Sequence, residues 1–152
     1  MIIKILEFLR LAGVIAGYFI SYFTYDTPED ILKSLTIWTI VSIAGLTGIE
    51  GLFFRKQAAK EKGFEQGSNY QIQSACAFLS IAIIAVFVVM ANWGVKSYLT
   101  ISFVFLLFLL MSTINHAYQA IVHKNLKWNN VIRPFQTLFL IAIYVYPVIE
   151  VL

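Results

Sequence analysis

A 152-residue chain that is 60 % hydrophobic and only 12 % charged could not keep its surface dissolved in water, because soluble domains carry about 25 % charged residues. Lipid would accept such a surface, and a mean hydropathy of +0.81 agrees. The net charge of +3 does not indicate a nucleic-acid partner, since the basic residues flank apolar stretches rather than forming one patch.

A transmembrane helix needs roughly 20 mostly apolar residues to cross about 30 Å of hydrocarbon. Five stretches qualify: 5–23, 35–54, 71–92, 98–121 and 132–152. The segments between them are too short for a soluble domain. Residues 1–152 are therefore expected to form a single all-α integral membrane domain, a bundle of five transmembrane helices.

The first stretch carries Glu7 and Arg10 in its opening turns, three apart and able to pair on one helix face. The alternative is four spans plus an interfacial N-terminal helix. No small-x-small cleavage pattern follows it, which argues against a cleaved signal peptide. Gly13 and Gly17 are four apart here, and Ala44, Gly48 and Gly51 recur in the second stretch. Small residues at this spacing let helices approach closely in lipid. Packing within the chain is the expected use; a homo-oligomer through Gly13, Gly17 and Gly48 is the other. The segment 55–70 reads as charged and partly helical. In the third stretch Cys76, the sole cysteine, is expected to be a small buried hydrophobe. Pro134 falls in the first turn of the fifth stretch, where proline is tolerated, and Pro147 should loosen its end.

Five spans put the N-terminus, segment 55–70 and segment 122–131 on one side. That side collects Lys4, Arg10, Arg55, Lys56, Lys60, Lys62, Lys124, Lys127 and Arg133, against Lys33 and Lys96 opposite. Short-loop Lys and Arg prefer the cytoplasm. The expected location is the inner (cytoplasmic) membrane, with the N-terminus inside and the C-terminus outside. Aromatic belts should follow: Tyr22, Tyr25, Trp38, Trp93, Tyr98, Tyr144 and Tyr146 at the outer interface, and Tyr70, Tyr118 and Trp128 at the inner one.

Polar side chains gather at the inner ends. The second stretch brings Glu50 about one turn before Arg55. The fourth brings Ser112, Asn115, His116, Gln119 and His123 at helical spacing. The third opens with Gln71, Gln73 and Ser74, and the fifth with Asn129, Asn130, Arg133 and Gln136. A carboxylate and an imidazole at that depth are costly against lipid, so they should face each other or a wet cavity. The candidate ligand-binding cluster is Glu50, Arg55, Gln71, Asn115, His116, Gln119, Asn130 and Arg133. Either Glu50 and His116 form a proton-accepting pair, or the group joins helices by hydrogen bonds. His123 is expected to be a solvated loop residue. His116 and His123 are seven apart without further ligands at metal spacing, and no nucleotide or hydrolase motif occurs. No metal, cofactor or catalytic residue is assigned.

Gly48-x-Glu50, Phe54-Arg55, Ala58, Gly63, Gly67-Ser68 with Gln71, and later His116, Asn125 and Asn130 together resemble a family of small prokaryotic multi-span membrane proteins of unknown function. Asn69-Tyr70-Gln71 departs from the Phe-Gln pair usual in that family after Gly-Ser. The resemblance covers about 48–130. It implies a multi-span helical fold with Glu50, Arg55, Gln71, His116 and Asn125 near one another, and it supplies no activity.

The expected function is binding or transport of a small or amphipathic ligand at a cytoplasm-side polar cavity; the alternatives are a membrane enzyme using a Glu/His acid–base pair on a lipid-soluble substrate, and an accessory subunit of a membrane complex. The outer halves of the third and fourth stretches are almost wholly apolar, so any cavity should open inward.

Overall fold

The computed structural model describes residues 2–63 and 69–152; Gly67 and Ser68, and the side chains of Lys62 and Asn129, lie outside the described residues. All regular elements in the described residues are helices: α1 Ile2–Thr24, α2 Pro28–Phe53, α3 Arg55–Lys62, α4 Asn69–Met90, α5 Val95–Ile121 and α6 Trp128–Val151. The fold is all-α. Local chemistry sets the boundaries. Thr27 caps α2 by accepting from the Asp30 N–H at 3.2 Å, with Pro28 in the first turn. Gly63, at φ 71°, ends α3 in the left-handed conformation that glycine adopts without strain. Asn92, in the turn between α4 and α5, accepts from Lys33 Nζ at 2.6 Å and from the Tyr98 hydroxyl at 2.9 Å, fastening that turn to α2.

Four helices, α2, α4, α5 and α6, are long and apolar enough to cross a membrane. α1 is not among those four, so length and hydropathy support four spans where five were expected. Its position is nevertheless that of a bundle member. It lies antiparallel to α2 in a register readable rung by rung. Ser21 Oγ donates to Ser34 Oγ at 2.8 Å. A methyl on Gly17 would come within 2.4 Å of Trp38 Cβ, and one on Gly13 within 2.1 Å of Ser42 Oγ. Arg10 then reaches the Leu46 carbonyl at 3.3 Å. Gly48 closes in the same way on Leu79 and Ala75 of α4. These three glycines pack inside the chain, the use expected first from the sequence.

The core fills the half of the bundle away from the basic residues, around Leu32, Leu35, Ile40, Tyr98, Phe105 and Tyr144. Its polar atoms are paired. Thr36 and Ser102 share a hydrogen bond at 2.8 Å, and Thr39 meets the Tyr144 hydroxyl at 2.6 Å. Two expectations are thereby corrected. Tyr98 and Tyr144 are not belt residues but fully buried, because α2 offers each hydroxyl a partner or a linked side chain. Cys76 is exposed rather than buried, on the outward face of α4. Phe23, Phe53, Ile83, Leu107, Phe135 and Leu138 also point outward, a surface that hydrocarbon would cover without cost.

Pro147 sits inside α6 and has no N–H for the Ile143 carbonyl one turn earlier. The Tyr22 hydroxyl of α1 donates to that carbonyl at 2.6 Å. α1 thus repairs a hydrogen bond that proline removes, and lipid could not do so.

Candidate functional site: a charged cavity at the basic end

The decisive charged contact joins α1 to α2. Arg10 Nη2 forms an ion pair with Glu50 Oε2, and the two residues are 7 % and 2 % exposed. Glu7 and Arg10, whose spacing would allow a local pair, do not form one; Arg10 reaches across to the neighbouring helix. Helix geometry explains how Glu50 comes to face α1. Residues four apart drift about 40° around a straight α-helix at each step, so a face begun at Ser34 and Trp38 would have rotated away by Glu50. One turn of α2, Val41–Gly45, is widened to π geometry. Its larger circumference returns part of that drift and keeps Ser42, Leu46 and Glu50 toward α1.

Beside the ion pair lies a cavity of about 270 Å³ bounded by α1, α2, α5 and α6. Its lining is partly apolar, with Leu11, Val14, Ile43, Leu109 and Leu140, and partly polar, with Glu7, Arg10, Ser112, Arg133 and Gln136. Arg133 lies within electrostatic reach of Arg10, Glu50 and Glu7. Three buried polar atoms here have no hydrogen-bond partner among the described residues: Arg10 Nε, Arg10 Nη1 and Glu7 Oε1. Unpaired buried groups of this kind each cost about 1–3 kcal/mol or more.

A second polar group sits close by on α5 and α6. His116 Nδ1 lies 2.7 Å from Asn130 Oδ1, both residues buried. Asn130 Nδ2 donates to the Asn125 carbonyl at 3.0 Å. That fixes the amide's orientation, so Oδ1 is the acceptor and His116 carries its proton on Nδ1. Asn125 Nδ2 donates to the Gly63 carbonyl at 3.4 Å, and Lys127 Nζ to the Lys60 carbonyl at 2.9 Å. The result is a latch from α5 through α6 to α3. One turn deeper, Thr113 donates to Thr137 at 2.7 Å, again between α5 and α6.

The sequence-derived cluster therefore divides. Glu50 belongs with Arg10, and Arg133 lines the cavity beside them. His116 and Asn130 form the latch. Gln119 is half-buried on the same helix, and its carbonyl accepts from the Asn125 N–H at 3.0 Å. Gln71 is half-buried at the start of α4, where its carbonyl approaches Gly51 of α2. Arg55 opens α3 and lies instead in a shallow recess with Leu52, Phe54 and Gln57. Asn115 is exposed, because the helical stripe from 112 to 123 is wider than the face that packs. His123 is also exposed and rests edge-on against the Tyr118 ring at 5.3 Å. Glu7, Arg10, Thr113 and Thr137 were not singled out as site residues; an arginine ten residues from the chain start looked like a flanking charge. Among the described residues, no three His, Cys, Asp or Glu side chains stand close enough together to hold a metal ion.

A family model matches residues 5–149, beyond both ends of the 48–130 resemblance. The chain belongs to a family of unknown function (DUF6790). The matched region includes α1 and α6, so Glu7, Arg10 and Arg133 all fall within it. No curated protein and no solved structure matches the chain.

Proposed function

We propose that this membrane protein of the DUF6790 family binds an amphipathic molecule in the cavity between α1, α5 and α6. The observation that carries the reading is the cavity's two-sided lining. Aliphatic side chains form one part of it, and the ionisable residues Glu7, Arg10 and Arg133 another. A purely polar solute would waste the first, and a purely apolar one would leave the second unsatisfied. With nine of eleven basic side chains at this end, the cavity faces the cytoplasmic side and draws its ligand from the inner leaflet.

Binding fits better than conduction. The half of the bundle beyond the cavity is closed by Tyr98, Phe105 and Tyr144, each at most 2 % exposed. Transport would have to move that layer. Glu50 and His116 each have a hydrogen-bonded partner of their own, which favours holding the cavity's walls over acid–base chemistry.

Ser112 lines the cavity and is half-buried. Ser112→Phe should fill the space without touching the ion pair or the latch. Native mass spectrometry from mild detergent is expected to show a retained lipid-sized adduct on the wild-type protein and its loss from the variant. Equal occupancy of the two proteins, or none on either, would refute the reading.

A further inference from the structure

The cavity's unsatisfied atoms specify more than amphipathic character. Resting on the binding function proposed above, we infer that the bound head is zwitterionic: an oxyanion held by Arg10 and Arg133, with an N–H-bearing cation held by Glu7, as in an aminophospholipid. Charge and donor count lead there. Among the described residues, four ionisable groups meet at this place, Glu7, Arg10, Glu50 and Arg133. The Arg10–Glu50 pair cancels internally, which leaves Arg133 and Glu7 as one cation and one anion on the cavity wall. A head of single negative charge would satisfy Arg133 and be repelled by Glu7; a single cation would meet the reverse. An uncharged head keeps the site neutral but gives neither group a counter-charge; a head carrying both signs does both.

The free atoms make the same demand. Arg10 Nε and Nη1 are donors, and they need acceptor oxygens. Glu7 Oε1 is an acceptor, and it needs a donor. A phosphate diester offers the oxygens and accepts well from planar guanidinium forks. A primary ammonium beside it offers the N–H groups. A quaternary ammonium carries the same charge without any N–H, so the acceptor at Glu7 would remain unpaired. The apolar lining formed by Val14, Ile43 and Leu140 accommodates the start of an acyl chain, which ties the head to a lipid rather than to a free solute.

Native mass spectrometry of delipidated protein titrated with phosphatidylethanolamine, phosphatidylcholine or phosphatidylglycerol of matched chains separates these features. Phosphatidylethanolamine should be retained roughly tenfold over the other two, the worth of one charge-assisted hydrogen bond. Glu7→Gln should lower retention of phosphatidylethanolamine about tenfold, to the level of the other two, and Arg133→Ala should lower occupancy by all three. Glu7 and Arg133 have no hydrogen bond to the described residues whose loss would unfold the chain, and an unchanged melting temperature checks this. Equal retention of the ethanolamine and choline lipids, or a preference untouched by Glu7→Gln, overturns the zwitterion while lipid binding stands. Retention of none of the lipids overturns the binding function itself. Displacement of bound lipid by millimolar soluble phosphoethanolamine would assign the site to a free solute and contradict the lipid source.

Discussion

Arg10 is the residue on which the basic end turns. In lipid, an arginine one-third of the way along a helix normally escapes to the headgroups. Here it is buried because Glu50 and the Leu46 carbonyl receive it. Removing one member of a buried pair leaves the other charge uncompensated, at about 3–5 kcal/mol. Arg10→Ala and Glu50→Ala should each destabilise by about that amount, and the double variant by much less than their sum; a cycle of denaturant unfolding in micelles measures it. Additive losses would mean that the two do not interact. Tyr22 supplies a smaller test. Tyr22→Phe removes the donor to the carbonyl freed by Pro147 and should cost about 0.5–1.5 kcal/mol, whereas Tyr22→Phe in a Pro147→Ala background should cost less. Glu50 was legible from sequence because a carboxylate in an apolar stretch must find a partner. The partner was not. Glu7 to Arg10 is the nearer pair along the chain, and only the register between helices shows that Arg10 turns the other way.

At the scale of elements, the antiparallel pairing of α1 with α2 organises the site. The rungs from Ser21–Ser34 to Arg10–Glu50 carry α1 along α2 from one end to the other, so an α1 lying flat on the membrane surface would break all of them. Ser21→Cys with Ser34→Cys, in a Cys76→Ala background, should form a disulfide on mild oxidation, since the native hydroxyl oxygens are 2.8 Å apart. Shifting one cysteine to Ile20 should abolish it; cross-linking indifferent to that shift would mean a loosely held α1. The apolar stretches gave away the helices themselves, and the small residues at Gly13, Gly17 and Gly48 gave away where they touch. The widened turn at Val41–Gly45 left no comparable trace, because a π turn arises from how neighbours pack and not from a local preference. Tyr98 and Tyr144 misled for a related reason: a tyrosine near a span's end reads as an interface anchor until a threonine or an asparagine is seen to meet its hydroxyl.

For the whole molecule, polarity is divided by height. One half is a dry, hydrogen-bonded core. The other holds an ion pair, a latch of amides and histidine, and a cavity lined by both aliphatic and ionisable side chains. The all-α membrane fold could be read from length and hydropathy alone. The cavity could not, because it depends on α1, α5 and α6 meeting with their ionisable side chains at one level. Its occupancy is best tested by an experimental structure of the wild-type protein in nanodiscs of native lipid. Elongated density should run from Arg10 and Arg133 toward Val14 and Leu140, with its head against the guanidinium groups. A cavity collapsed by its own side chains, or Arg10 turned out toward the acyl chains with Glu50 unpaired, would contradict the account.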